Sequence, residues 1–322
     1  MITLEQALAD QRDLRELIHR ELPVDTTEVY ERNTAYGWAR ILKEYAGYPQ
    51  HLPIHAVIPH GVYFDAEQIA QEELDAPVPA VLDYPAFRRV AWERLSDKVV
   101  VPSASPFLYA LSLFRGKFAE PEDPQGTVFY PVHGTETANW AYDRNAVIAS
   151  LRALPDDMQP VSVCIHASDY VRGLHQPFVD AGFPLLSAGD TSDPQFIFRW
   201  LHLLSQFRFV AGNDVGGSAF YAVKAGKPFT LIGEAPVPQL DSALHFMQRQ
   251  LGMFYRTTSE QMRRTHEQIR SAFLDQPDSP VTKDEMTDYL LGTANFKTPH
   301  ELRAVLEQLA QNAEERGGTT AA

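Results

Sequence analysis

The sequence predicts an α/β protein built as two successive parallel-sheet halves, and three observations carry that reading. Short apolar strands alternate with amphipathic helices over residues 34–236, the pattern that gives parallel sheets covered by helices. A charged break with two prolines, residues 116–126, divides the alternation. Each strand of the second half then runs straight into a polar turn, and the carboxyl ends of strands are where open α/β sheets bind ligands. At 322 residues the chain is long enough for two domains, each with its own core.

In the first half, Thr3 to about Arg20 reads as one amphipathic helix. Thr3 and Gln6 form a capping box, and Leu4, Leu8, Leu14, Leu17 and Ile18 mark its buried face. Residues 34–47 make a second helix that stops near Gly47. Ile54–Ile58 reads as a strand leading into Pro59-His60-Gly61. Pro85–Arg94 follows as helix, Lys98–Val101 as a buried strand, and Ser103-Ala-Ser-Pro106 opens the helix Phe107–Phe114.

In the second half, strand Thr127–Val132 ends in His133-Gly134-Thr135, and helix Asp143–Leu151 follows. Strand Val161–Ile165 ends in His166 with Asp169, before a helix Tyr170–Ala181 that stops at Gly182. Strand Phe183–Ser187 ends in Gly189-Asp190, and Asp193 caps a helix reaching about Gln206. Phe207–Ala211 is the next strand. Asn213–Ser218 is a turn carrying Gly216 and Gly217, and Ser218–Ala225 is a short helix closed by Gly226 before strand Phe229–Ile232. Beyond Leu240 the chain reads as mostly helical, with capping boxes at Thr282/Glu285 and Thr298/Glu301 and a disordered tail over Gly317–Ala322.

Four polar clusters thus gather along one predicted rim: His133–Thr135, His166 with Asp169, Gly189-Asp190, and Asn213–Ser218. A helix opening on two glycines leaves backbone N–H groups free to hold a phosphate or carboxylate. A plain βαβ turn with glycines for close packing explains the same residues equally well when they are taken alone. The first half adds His60-Gly61, with Ser103 and Ser105 as further members.

Composition removes several classes of function. The formal charge of −14 disfavours nucleic acid or an anionic membrane as a general partner, so an anionic ligand needs a local seat. Cys164 is the single cysteine, so no intramolecular disulfide forms, which fits a reducing cytoplasm. Its place inside a strand argues against a thiol nucleophile. The early acids of the N-terminus do not make a signal peptide, and no apolar run approaches a membrane span. The run His51, His55, His60 has metal-like spacing, but a strand would point His55 away from the loop of His60, so no metal site is expected. No phosphate-binding Gly-x-x-x-x-Gly-Lys-Ser/Thr loop and no dinucleotide fingerprint follow the first strand of either half.

Asn213-Asp-Val-Gly-Gly-Ser-Ala-Phe-Tyr-Ala-Val-Lys-Ala-Gly-Lys-Pro228 resembles the late donor-site element of GT-B glycosyltransferases, in which a polar turn opens a short helix ending in Gly-x-Pro. Ile58-Pro-His-Gly-Val-Tyr-Phe64 and Phe129-Tyr-Pro-Val-His-Gly-Thr135 are similar to segments of bacterial proteins that assemble capsule or lipopolysaccharide. The resemblance implies two Rossmann-like domains facing a cleft: 1–118 on the acceptor side, 119–250 binding the donor nucleotide, then C-terminal helices and tail over 251–322. It implies a glycosyltransferase without cofactor or metal, which takes a nucleotide-sugar donor and a glycan acceptor and touches a membrane at most peripherally.

Under that resemblance the donor side comprises His133, Gly134, Thr135, His166, Asp169, Asp190, Asn213, Gly216, Gly217, Ser218 and Glu234. Gly216–Ser218 would hold the phosphate, His133 and Thr135 would add side-chain donors, and Glu234 would bind the ribose. His60 or Asp65, from the opposite half, would deprotonate the acceptor. One departure stands out. The short helix reads Phe220-Tyr221-Ala222 where the family usually carries an acidic residue, so ribose recognition of the common UDP-sugar kind is not expected. Two other readings fit the same cleft: a CDP-polyol phosphotransferase of teichoic-acid type, and a non-catalytic scaffold.

Overall fold

Apolar segments too short to bury themselves alone pair into two parallel sheets. The computed structural model describes residues 1–22, 24–64, 66, 69–134, 139–239, 260–274 and 281–319. The first half runs α1 (Leu4–Asp10), α2 (Leu14–Ile18), a 3₁₀ segment Glu31–Gly37, α3 (Trp38–Ala46), α4 (Gln71–Asp75), β1 (Ala80–Asp83), α5 (Arg89–Leu95), β2 (Val99–Pro102) and α6 (Pro106–Lys117). The second runs β3 (Thr127–Tyr130), β4 (Asn139–Ala141), α7 (Arg144–Arg152), β5 (Val161–Cys164), α8 (Ala167–Val171), α9 (Gln176–Asp180), β6 (Leu185–Leu186), α10 (Phe196–Ser205), β7 (Phe209–Gly212), α11 (Gly217–Lys224), β8 (Phe229–Leu231) and β9 (Val237–Gln239). Helices α12 (Glu260–Phe273), α13 (Lys283–Leu290) and α14 (Pro299–Thr319) follow.

The second-half sheet has the order β6-β5-β3-β7-β8, and every pair in it is parallel. Thr127 of β3 is in register with Val161 on one side and Phe209 on the other. The chain builds outward from β3 in one direction, then returns to its other side. That reversal is the topological switch point of a doubly wound sheet, and it lies between β3 and β7. All four residues of β3 are buried, as a central parallel strand requires.

The first-half sheet is smaller. β1 and β2 pair in parallel, and Val57 adds a single parallel bridge to Val81. The expected strand Ile54–Ile58 is reduced to that bridge because side chains satisfy its backbone instead. Ile54 N–H donates to Glu28 (3.0 Å), while Asn33 donates to Ala56 O (2.8 Å) and accepts from Ile58 N–H (2.9 Å). β2 was expected to be buried. It is an edge strand, and Val99 is half exposed.

Other departures have local causes. The helix expected over residues 3–20 breaks at Asp13, whose carboxylate caps a fresh helix through Glu16 N–H (2.9 Å). The helix expected over 170–181 starts earlier, at Ala167, and breaks at Gly173, which has φ +72°. β4 and β9 form an antiparallel pair that the sequence did not suggest. Helix α14 continues to Thr319, through residues expected to be disordered. All three expected capping boxes form, at Thr3/Gln6, Thr282/Glu285 and Thr298/Glu301.

One hydrophobic core passes through both halves, joining Trp38 and Ile41 to Phe107, Val128, Trp200, Phe220 and Leu306. The C-terminal segment returns to the first half. Tyr45 donates to Lys297 O (3.0 Å), and Arg303 donates to Gly47 O (3.0 Å). Arg199, 1% exposed, ties α10 to α1 and to the end of β6 through Asp10 (2.7 Å), Asp193 (2.9 Å) and Ala188 O (2.7 Å). Among the described residues no helix is long and apolar enough to cross a membrane.

Candidate functional site

Because the five strands are parallel, the loops after β3, β5, β6 and β7 emerge on one rim. A cavity of about 290 Å³ opens at that rim. Its wall takes His133 from the β3 loop, His166 from the β5 loop, Gly216, Gly217 and Ser218 from the β7 loop, and His60 from the first half. These six were singled out in the sequence, and the fold brings them together.

The glycine turn leaves open space at the wall. Gly216 has an ordinary extended backbone (φ −127°) and Gly217 is already helical, so neither needs glycine's freedom. A Cβ on Gly216 would meet nothing within 4 Å, and one on Gly217 would meet only the Tyr221 ring, at 3.7 Å. Packing does not explain the two glycines, and both face the cavity. The first N–H groups of α11 have no intrahelical acceptor and carry the positive end of its dipole.

Asp214, inside the expected Asn213–Ser218 cluster but given no role there, also lines the cavity. Its carboxylate accepts from Val215 N–H (2.9 Å) and faces His266 Nε2 (3.2 Å) and Arg270 (3.8 Å) on α12. Arg270 also donates to Gly233 O (3.1 Å), so α12 clamps the loops after β7 and β8.

His133 and His166 stack in parallel, with ring centroids 4.0 Å apart and planes 6° from parallel. The backbone fixes their tautomers. Ser168 N–H can only donate, and it lies 3.2 Å from His166 Nδ1, which therefore accepts and leaves the proton on Nε2. His133 Nδ1 lies 3.1 Å from Gly134 O, which can only accept, so His133 carries its proton on Nδ1. Ser168 Oγ donates to the same His166 Nδ1 (2.8 Å) and lies 3.0 Å from Gly134 O, so Ser168 sits between the two loops. Burial, then the neighbouring His133 and Arg172, pulls the His166 pKa down to about 3. His133 is exposed, and desolvation by the protein around it, opposed by its bond to Gly134 and by Asp169, lowers its pKa too. Both rings are therefore neutral at pH 7.

These shifts predict a stability profile. A folded-state pKa below the unfolded value gives stability that is full above the unfolded pKa and is lost as pH falls through the folded pKa. For His166 the loss should begin near 6.5 and continue toward about 3. Burial lowers His60 and His202 in the same direction. Urea melts between pH 7 and 4.5 should show falling stability, and His166→Gln should flatten that fall; an unchanged slope would show that the ring titrates normally.

His60 sits on a loop held from beneath. Tyr84 hydroxyl lies 3.0 Å from Pro59 O and 3.1 Å from Gly61 O, and Tyr63 hydroxyl accepts from Gly61 N–H (3.3 Å). The fully buried Arg88 lies 3.5 Å over the Tyr63 ring and pairs with Asp83 (2.8 Å). Burial lowers the His60 pKa, partly opposed by Glu73.

The remaining expected residues lie elsewhere. Asp65 and Thr135 fall outside the described residues. Gly134 is buried behind His133, and its N–H donates to the buried Asp169 (3.3 Å), which also pairs with Arg172. Asn213 is fully buried and joins the strands at the switch point, its Oδ1 accepting from Val132 N–H (2.7 Å). Asp190 accepts from Ser192 N–H (2.8 Å) in a local turn. Glu234 is exposed. None of Asp169, Asp190, Asn213 and Glu234 lines the cavity. The cavity also takes aromatic residues to which the sequence reading gave no role in the site, among them Tyr36, Trp38, Tyr130, Trp200 and Tyr221. Burial pushes the thiol of Cys164, also on the wall, up to about 12.

Fold and site together define an α/β protein with a doubly wound sheet and a histidine- and glycine-lined cavity at its switch point. No protein-family model and no curated protein matches the sequence. Among solved structures the chain is similar to UDP-GlcNAc 2-epimerase from Neisseria meningitidis bound to UDP-GlcNAc, at 11% identity and TM-score 0.35, over 76% of this chain and 63% of that one. It is also similar to TarM, at 11% identity and TM-score 0.27, over 74% of this chain and 43% of that one. The chain thus matches less than two thirds of the length of either protein.

Proposed function

We propose that the cavity binds a nucleotide-activated sugar and that the protein is a glycosyltransferase of the GT-B type, acting on a glycan acceptor in surface-polysaccharide assembly. The observation that supports this most is the meeting of His60, His133, His166 and the open Gly216–Ser218 turn on one cavity at the switch point. Glycosyl transfer requires stabilisation of a leaving nucleotide phosphate. The N–H groups at the start of α11, the Ser218 hydroxyl and the neutral His166 Nε2–H would supply donors for it. In this reading Asp169 and Asn213 position the loops that carry those donors, and His60, or Asp65 close by in sequence, takes the acceptor proton. Glu234 would reach a ribose only if the nucleoside lies outward over the end of β8.

A thermal-shift screen with CMP, CDP, UDP, GDP and dTDP tests the reading. A nucleotide at 100 times its Kd should stabilise the fold by about 2.7 kcal/mol. No shift with any of the five would overturn the nucleotide-sugar assignment and favour a scaffold. A shift with CDP alone, without sugar transfer from any nucleotide-sugar, would favour the polyol-phosphate reaction.

A further inference from the structure

The cavity wall carries more unpartnered polar atoms than a finished interior tolerates. Trp38 Nε1, His60 Nδ1, the Tyr130 hydroxyl and His166 Nε2 are each buried without a hydrogen-bond partner, and all four residues line this one cavity. Trp38 is 1% exposed and Tyr130 is 8% exposed. A buried Trp N–H or Tyr O–H ordinarily finds an acceptor, and leaving one unpaired costs about 1–3 kcal/mol. Trp38 Nε1 can only donate, and the tautomer of His166 makes its Nε2 a donor as well. At least these two atoms are therefore donors that lack an acceptor.

The backbone that delivers Trp38 is strained toward this arrangement. Tyr36 adopts φ +57°, a left-handed conformation uncommon outside glycine, and Gly37 follows at φ +78°. Tyr36 N–H donates to Thr191 O (2.6 Å), and a Cβ on Gly37 would lie 2.5 Å from Pro194 O. The turn from the first half is thus pinned to the loop after β6. Strain of this kind persists where the surroundings over-determine it, and it clusters at ligand sites. Tyr36 and Trp38 then form one ring pair (centroids 5.6 Å apart) and Tyr130 and Trp200 another (5.5 Å), giving the cavity an aromatic part with donors set in it.

Size and chemistry then select an occupant. The volume lies just below the roughly 300–1,000 Å³ of small-molecule sites. That accommodates a sugar ring and a phosphate, and is too small for an entire nucleotide-sugar. A pyranose offers C–H faces to aromatic rings and an array of acceptor oxygens to donors. A nucleobase edge brings N–H donors of its own, which these two atoms cannot accept.

Resting on the nucleotide-sugar reading above, we infer that the aromatic part holds the pyranose ring of the donor, that Trp38 Nε1 and the Tyr130 hydroxyl donate to its oxygens, and that the nucleoside lies outside, beyond Gly216–Ser218. Trp38 and Tyr130 are then residues that set sugar specificity.

The test compares each nucleotide with its sugar conjugate by calorimetry: UDP with UDP-glucose and UDP-GlcNAc, GDP with GDP-mannose, and CMP with CMP-N-acetylneuraminate. Wild type should bind one conjugate more tightly than its nucleotide. Tyr130→Phe and Trp38→Phe should each cut that increment by about tenfold, the loss of one hydrogen bond, and leave nucleotide affinity within about twofold. Tyr130→Phe without ligand should melt no lower than wild type, because it deletes an unpaired hydroxyl. A lower melting temperature would show that the hydroxyl has a partner within the protein and would overturn the inference. So would a wild type with no sugar increment, or variants that keep it, as expected where ordered water alone meets these atoms. Equal losses for nucleotide and conjugate would put the base in the aromatic part. Those outcomes leave the nucleotide reading standing, whereas no binding by any nucleotide or conjugate removes both.

Discussion

Replacing His60 by alanine should lower turnover by about 10²–10⁴-fold, the range for loss of a positioned general base. The imidazole is on the cavity wall, and the loop beneath it is fixed by Tyr84 and Tyr63 rather than by the ring itself. The backbone should therefore keep its place when the ring is removed. Donor affinity, read by thermal shift, should hardly move, because the phosphate seat lies on α11. Burial depresses the His60 pKa, so the ring is neutral and free to accept a proton at pH 7. The acidic limb of the wild-type pH–rate profile should accordingly lie below 6.5, and it should vanish in His60→Ala. Asp65→Asn is the comparison: a large loss there with a mild one at His60 would move the role to the carboxylate. Mild effects at both would leave the base in the second half, with Asp214, the carboxylate on the cavity wall, next to test.

Gly217→Asp should abolish nucleotide binding and leave the fold intact. A carboxylate at the start of α11 would occupy the phosphate position and offset the helix dipole. The structure makes this a clean experiment, since a side chain at Gly217 first meets the Tyr221 ring at an ordinary 3.7 Å. Gly217→Ala is the control and should bind nucleotide with a modest loss. If Gly217→Asp melts like wild type and binds nucleotide equally well, the phosphate sits elsewhere.

The alternation of strand and helix was legible because it is local. Apolar runs, glycine stops and capping residues lie within a few positions of the elements they define, and the polar clusters follow their strands directly. His60, His133, His166 and Gly216–Ser218 were therefore within reach of the sequence. What escaped depends on distant partners. Nothing near Ile54–Ile58 says that Glu28 and Asn33 will take its backbone hydrogen bonds from a ladder. Nothing near Asp214 points to His266 and Arg270, more than fifty residues later. Tyr36 and Trp38 read as part of the helix expected over residues 34–47, and only the left-handed turn pinned at Thr191 and Pro194 brings them to the cavity. Asn213, Asp169 and Asp190 were right in position along the rim. Their side chains, however, turn to backbone, to Arg172 or to a local turn, a choice that residue type alone does not reveal.

The bonds from Tyr45 to Lys297 O and from Arg303 to Gly47 O join residues 252 and 256 positions apart. Leu302, Leu306 and Leu309, buried at 0, 2 and 4% exposure, belong to the same core as Trp38, Ile41 and Leu42. During synthesis, then, the first half cannot finish folding when it leaves the ribosome. Its α3 face waits, uncovered, for a helix translated about 250 residues later, which at 5–20 residues per second means roughly ten to fifty seconds. Closing so long a loop adds little entropic cost beyond that of a shorter one, since the cost grows only with the logarithm of length. The delay, more than the energetics, makes this apolar face a surface for chaperones to shield, and truncation anywhere before α14 would leave it permanently bare.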